Sequence, residues 1–395
     1  MKNKHIAASI LSAVALTASA TGGIDDVLSS IKHNNGSIKA AEASFSSDSL
    51  ALRASNNLED PKMGFEYNFG KIGDKWSVGV SQGFDWPGAY SARNRANRSR
   101  IKALNADTDV RKLEVLVKAK ELCLEIVYTN RRIEAQKLIL KNVEELYDTY
   151  STAFKHGETS IIDINKLKIE LITARQALTE LETSLQSLKT SLKGLNNNAD
   201  FSNVNIGELV AYPIDAIEPI DTYIDGFETG DPQNCFFAFN EESIKSDVKA
   251  TEMGWLPKFD IGYKYTNELG DGFNGVTLGA SIPIFSNKRK VAAAKAQAVS
   301  NDMNRNSYHN ENIARIKAEY AKAVSLKSQL VQYGDVIGDE SNFTMLRKAI
   351  DGGQMSLLDY LLELRYFLEA KTKYLEIEYS YHSVMASLLR YTLLK

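Results

Sequence analysis

The sequence is poor in cysteine, proline and long apolar runs, and each shortage closes off a class of protein. Only Cys123 and Cys235 occur in 395 residues, far apart and in no metal-spaced or redox pair. A disulfide scaffold is therefore excluded, and two unpaired buried thiols are expected. The five histidines (His5, His33, His156, His309 and His382) are scattered and assemble into no metal-ligand set. An excess of positive charge is also missing, with 47 basic against 50 acidic residues, which speaks against nucleic acid as a partner. No nucleophile elbow, Cys/His pairing or phosphate loop is present, so no catalytic or cofactor-binding residue is assigned and the chain is not read as an enzyme. Gly270-Asp271-Gly272-Phe273-Asn274-Gly275 is a literal GxGxxG, but it lies between two predicted strands rather than between a strand and a helix. It reads as a loop tip.

What is present begins with a leader. Lys2 and Lys4 precede an apolar run from Ile6 to Leu16 that ends in Ala18-Ser19-Ala20, the pattern of a secretory signal peptide over residues 1–20. Residue 21 is Thr, not Cys, so no lipidated N-terminus is expected. Losing the two lysines would take the net charge from −3 to −5, with 45 basic against 50 acidic residues. Beyond the leader no stretch approaches the roughly 18 apolar residues of a spanning helix. If the mature chain crosses a bilayer, it does so with strands.

The organising feature is a duplication. Ala153-Phe154-Lys155-His156-Gly157-Glu158-Thr159-Ser160-Ile161-Ile162-Asp163 aligns with Ala349-Ile350-Asp351-Gly352-Gly353-Gln354-Met355-Ser356-Leu357-Leu358-Asp359, and Pro61-Lys62 aligns with Pro257-Lys258 at the same offset. The first repeat, 21–195, reads as a short helix, a hairpin over 62–86, a long helix over 88–154 and a helix over 159–195. A proline-marked linker, 196–235, carries Pro213, Pro219 and Pro232. The second repeat, 236–395, has its hairpin over 258–285, a long helix over 287–350 and a last helix over 355–394.

The hairpin segments alternate. Trp76, Val78, Val80, Phe84 and Trp86 point one way and Ser77, Gly79, Ser81, Gly83 and Asp85 the other, as do Met63, Phe65, Tyr67 and Phe69 against Gly64, Glu66, Asn68 and Gly70. In the second half Phe259, Ile261, Tyr263 and Tyr265 oppose Asp260, Gly262, Lys264 and Thr266. Val276, Leu278, Ala280, Ile282 and Ile284 oppose Thr277, Gly279, Ser281 and Pro283. Four segments of about ten residues, apolar on one face and small or charged on the other, fit transmembrane β-strands. The lipid-facing set is then Trp76, Val78, Phe84, Trp86, Phe259, Tyr263, Leu278 and Ile282. Two amphipathic hairpins packed on helices in a soluble protein would show the same alternation. Four strands cannot close a barrel, and an open edge in hydrocarbon leaves backbone groups unpaired at several kcal/mol each. A membrane reading therefore requires several copies.

The long helical segments suit a large assembly. At about 1.5 Å per residue, 88–154 would extend on the order of 100 Å. Two apolar series recur every eleven positions in it: Leu113, Leu124, Ala135 and Leu146, and Val117, Tyr128, Ile139 and Tyr150. Such a repeat keeps a stripe nearly straight, as the staves of a cylinder require.

In this duplicated order the chain resembles the TolC family of outer-membrane efflux and secretion ducts. The resemblance rests on the two Gly-to-Asp turns (157–163 and 353–359), on Pro61 and Pro257 before the strands, and on the passages Trp86-Pro87-Gly88 and Pro283-Ile284-Phe285. It implies a fold that is mainly α with β-hairpins, in which a homotrimer forms a twelve-stranded barrel in the outer membrane and a helical α-barrel in the periplasm. The implied function is a passive exit duct of a tripartite efflux or type I secretion system, partnered by a periplasmic adaptor protein, an inner-membrane transporter and outer-membrane lipid. It implies a periplasmic gate at Asp163 and Asp359, with Glu363 as a substitute for a missing second carboxylate, and adaptor-docking tips at His156, Gly157, Gly353 and Gln354. Met355, Leu362 and Ile350 depart from the family's arginine, aspartate and tyrosine at the gate. The glycines also read as helix stops, and the two aspartates as helix caps. The competing reading of the whole chain is a periplasmic adaptor or coiled-coil spacer without a barrel.

Overall fold

The computed structural model describes residues 18–70, 73–201, 204–283, 289–337 and 341–394. Most of the leader (1–17) and the Ile284-Phe285 passage lie outside these. In chain order the elements are α1 (Ala18–Asn34), α2 (Gly36–Ala54), β1 (Lys62–Asn68), β2 (Lys75–Phe84), α3 (Pro87–Lys155), α4 (Ile161–Leu195), α5 (Ile220–Gly230), α6 (Pro232–Met253), β3 (Lys258–Glu268), β4 (Asp271–Ser281), α7 (Lys290–Ile337), α8 (Ser341–Asp351) and α9 (Leu357–Leu388). They form two units. One holds residues 18–39 with Arg111–Gly230 and Ile313–Lys395; the other holds Ala40–Val110 and Asp231–Asn312.

The second of these units contains one antiparallel sheet in the order β1-β2-β3-β4. Each hairpin pairs within itself, and β2 joins β3 from Lys75 opposite Glu268 to Phe84 opposite Phe259. At the far end of the second hairpin, Leu269 (φ 55°) and Gly270 (φ 98°) form the two-residue turn between Glu268 and Asp271. Two positive φ values in a two-residue loop match the twist of the flanking strands, which accounts for the glycine there. The GxGxxG run is thus a hairpin turn and the start of a strand, and no helix follows it.

Beside the sheet, the helical part of this unit is tied by polar contacts. Arg100 Nη1 donates to Asn240 Oδ1 at 2.6 Å, Asn240 Nδ2 donates to Asn301 Oδ1 at 2.6 Å, and Ser243 Oγ donates to the Ala96 carbonyl at 3.2 Å. Asn240, Ser243 and Asn301 are buried, so these bonds satisfy groups that would otherwise be costly to desolvate.

In the other unit, two apolar clusters hold the helices. Val27 and Ile31 of α1 pack with Leu116, Leu124 and Val127 of α3, Leu188 and Leu192 of α4, and Leu209 and Tyr212 of the connector after α4. Nearer the helix turns, Ile139, Val143 and Leu146 of α3 pack with Leu167 and Leu171 of α4, Ile350 of α8, and Leu357, Tyr360 and Leu364 of α9. The eleven-residue series coincides with this packing: Leu113, Leu124, Ile139 and Leu146 are buried, and Ala135, Val117, Tyr128 and Tyr150 are half-buried. The expectation of two buried thiols needs correcting: both cysteines are free, but only Cys123 is buried while Cys235 is exposed. Cys123 sits in the apolar cluster, where burial pushes its thiol up to about 12.

The connector is pinned by an aromatic stack. Tyr212 lies on His382 of α9 with ring centroids 4.3 Å apart, and Arg131 of α3 sits over the Tyr212 ring while pairing with Glu378. Burial first, then the cations Arg131, Lys327 and Lys120, push the His382 imidazole down to about 4. An unfolded histidine titrates near 6.5, so the unfolded chain binds the extra proton first and stability falls as pH drops through this window. We expect acidification from pH 7 to pH 4 to cost about 2 to 3 kcal/mol through this residue, and His382→Phe to flatten the pH dependence of the thermal midpoint. An unchanged pH profile in that variant would assign the acid sensitivity elsewhere.

Candidate functional site

The sheet presents its apolar side uncovered. Met63 and Leu278 are each 79% exposed and Val276 is 73% exposed; Phe65, Phe69, Ile261 and Ile282 are exposed as well. The buried strand residues lie on the other face, at Ser77, Gly83 and Gly262. Of the lipid-facing candidates, Val78, Trp86, Phe259, Tyr263, Leu278 and Ile282 are exposed, whereas Trp76 and Phe84 are half-buried. The Trp76 ring leans on Tyr265 at 5.5 Å, and Trp86 lies 5.9 Å from Phe259 at the strand ends. Water gains nothing from such a face, whereas hydrocarbon does: each fully transferred large apolar side chain is worth about 1.5 to 3 kcal/mol. No helix among the described residues is long and apolar enough to cross a membrane.

Within the chain, β1 and β4 are the sheet's outer strands, each paired on one side alone. Their free edges present rows of backbone donors and acceptors that another strand can satisfy.

The two helix turns are copies of one another. After α3, the Gly157 amide donates to the Phe154 carbonyl at 3.0 Å and the Glu158 amide to the Ala153 carbonyl at 2.9 Å. After α8, Gly353 donates to Ile350 at 3.0 Å and Gln354 to Ala349 at 2.9 Å. These are Schellman stops, and both glycines take the positive φ they require, 76° at Gly157 and 67° at Gly353. Three residues on, Ser160 and Ser356 cap α4 and α9: each hydroxyl accepts from the amide of Asp163 or Asp359 at 3.2 Å. The aspartates return the contact, Asp163 Oδ2 accepting from Ser160 at 2.8 Å and Asp359 Oδ2 from Ser356 at 2.6 Å. The Ser160 hydroxyl, with Lys166 behind it, holds the Asp163 carboxyl below the usual carboxylate range.

The stop and cap readings of these residues therefore hold. His156, Gly157, Gly353 and Gln354 are exposed on the turns; Asp163 is half-buried, and Asp359 and Glu363 are exposed. Each aspartate is engaged with its own cap, and Asp163 also pairs with Lys166 at 3.3 Å. Replacing Gly353 with Ala places a side chain at positive φ and should destabilise the fold by about 1 kcal/mol. Gly334→Ala, inside α7 with open space around the added Cβ, should instead stabilise it by about 1 kcal/mol. Thermal melts of the two variants check the opposite signs.

One cluster beside the turns is not apparent from the sequence. Buried Asn142 of α3 accepts at Oδ1 from Arg347 Nη1 of α8 at 2.9 Å and donates through Nδ2 to the hydroxyl of Tyr360 on α9. Arg347 also meets Asp351 at 3.1 Å and Glu145 at 3.7 Å. The available signal is Asn142 itself, a polar residue inside the apolar run Ile139, Val143 and Leu146. A buried amide in such a place must find partners.

A strand pair, a long helical stretch (α3 in the first half, α7 and then α8 in the second), a Schellman turn and a return helix occur twice, with both strand pairs in one sheet, and this is the TolC-like fold. Solved structures with this fold include the CmeC outer membrane channel of Campylobacter jejuni, similar over 93% of this chain and 85% of that one at 16% identity with a TM-score of 0.75. The outer membrane protein VceC of Vibrio cholerae is similar over 95% and 96% of the two chains, at 12% identity with a TM-score of 0.69. The open-state MtrE outer membrane channel of Neisseria gonorrhoeae covers 94% and 89%, at 14% identity with a TM-score of 0.70. No family model and no curated protein matches the chain. At these identities the likeness establishes the fold.

Proposed function

We propose that the chain is an outer-membrane exit duct, a passive conduit for export that works as a homotrimer. The observation that carries this reading is the sheet. Its apolar face is uncovered and its two outer edges are free, an arrangement that is unfavourable in water and untenable in lipid unless neighbouring copies complete the ring. Three copies of four strands make a twelve-stranded barrel, and the long helices of each copy supply the staves of a periplasmic tunnel. An adaptor or spacer without a barrel would expose Met63, Phe65, Val276 and Leu278 to water with no return.

The periplasmic end is narrowed by the helix turns, with Asp163, Asp359 and Glu363 supplying negative charge and His156, Gly157, Gly353 and Gln354 the surface for a periplasmic adaptor that couples to an inner-membrane transporter. Closure rests on Arg347, Asn142 and Tyr360, which tie α8 and α9 to α3 without an arginine at position 355. The test is extraction and conductance. Duct protein requires detergent for release from membranes and gives discrete current steps in planar bilayers; a soluble protein without pore activity would refute the reading.

A further inference from the structure

All eight charged residues of the four strands lie on the polar face: Lys62, Lys75, Lys258 and Lys264 against Glu66, Asp260, Glu268 and Asp271. Four positive and four negative charges cancel. One rung of that face is almost bare, because the register aligns Gly64, Gly79, Lys264 and Gly275 across the sheet. Lys264 is its single side chain. The stem lies along Gly79, where an added Cβ would meet Lys264 Cβ and Cγ at 3.7 Å. Its Nζ crosses β2 to reach Glu66 Oε2 on β1 at 2.8 Å. Glu66 is held in turn by Asn68 Nδ2 at 3.3 Å and Ser77 Oγ at 3.4 Å. A lone lysine on a glycine rung would be an unopposed ring of three cations once the barrel closes; the glutamate one rung away removes that ring.

We infer that the Lys264–Glu66 pair neutralises the barrel lumen, so that the outer-membrane portion of the duct passes solutes of either charge sign and leaves any charge preference to the helix tips. This rests on the exit-duct reading, in which the polar face lines the lumen. Rings of like charge in a pore impose ion selectivity, and paired charges within a Debye length of each other do not. Glu66 and Lys264 are therefore specificity-determining residues that act by cancelling.

The experiment measures reversal potentials of the purified full-length oligomer in planar bilayers under a potassium chloride gradient. Glu66→Gln exposes the lysine ring and should shift the cation-to-anion permeability ratio toward anions by about threefold at ~0.1 M salt, where the Debye length is about 10 Å. Lys264→Met, which keeps the stem over the glycines, should shift it toward cations by a similar factor. Both shifts should fade near 1 M salt, where the Debye length is about 3 Å. The exchanged pair, Glu66→Lys with Lys264→Glu, should restore the parental ratio. Gly275→Lys adds a cation to the same rung and should move the ratio as Glu66→Gln does, which keeps the test open if a pair variant fails to assemble. Conducting variants that all keep the parental ratio would overturn the inference while the duct reading stands. A parent protein that never conducts would overturn both.

Discussion

Leu278→Arg is expected to abolish the membrane-inserted oligomer, whereas Thr277→Arg, one residue away, should leave it intact. The two positions differ in the face they occupy. Leu278 is on the uncovered apolar side opposite Ile261, and Thr277 is on the polar side opposite Gly262. A charged side chain on the lipid face of a strand barrel costs about 2 to 4 kcal/mol near the bilayer midplane, and a trimer carries the penalty three times. Each 1.4 kcal/mol is a factor of ten, so even the lower figure depletes inserted protein by more than tenfold per copy. On the lumen face the same arginine stays in water. Gel mobility of unheated membrane extracts separates the outcomes, and equal behaviour of the two variants would show that neither face meets lipid.

Arg347→Ala is expected to open the duct. The guanidinium makes its charged hydrogen bond to Asn142 in a half-buried setting and is backed by Glu145 and Asp351. A hydrogen bond to a charged group contributes about 1.5 to 3 kcal/mol. Removing it also leaves the Asn142 carbonyl oxygen without its donor. If the bond is made in the closed state alone, its loss raises the open-to-closed ratio by roughly 10- to 100-fold. Tyr360→Phe removes the other contact of the same amide and should act in the same direction. Arg365→Ala is the control: its partner, Glu369, lies 3.9 Å away on the same exposed helix face, where such pairs count for little. Single-channel open probability reads the effect directly. An Arg347→Ala channel as closed as its parent would place the constriction elsewhere.

What could be read from the sequence was local. Alternation with period two marks the strands because side chains of a strand point to opposite faces, and in the sheet Val78 and Val80 are exposed while Ser77 is buried and Gly79, between the two valines, is half-buried. The glycines at 157 and 353 announced turns because positive φ is nearly their preserve, and Ser160 and Ser356 announced helix starts because a hydroxyl there can accept a backbone amide. The eleven-residue spacing of Leu113, Leu124 and Leu146 reports a helix face for a similar reason.

The features that depend on distant pairing were hidden. Nothing in either hairpin says that β2 joins β3, since their rungs connect residues some 180 positions apart in the chain, such as Gly83 and Asp260. Asn142 meets residues 205 and 218 positions away, so its role is invisible to any periodic pattern. The stacking of Tyr212 on His382 is of the same kind. Cys235 was expected to be buried on residue type alone, and its exposure was set by the packing of α6, which turns neighbouring Phe237 inward instead.

The most direct measurement is a cysteine cross-link between the free edges. In a Cys235→Ser background, single cysteines placed along Lys62–Asn68 on β1 and along Asp271–Ser281 on β4 bring one edge of each copy against the other edge of the next. Mild oxidation in the membrane should yield, for facing pairs only, linked species that end at three chains. Monomer alone at every pair, or ladders that run past three, would mean that these edges do not close a trimeric barrel.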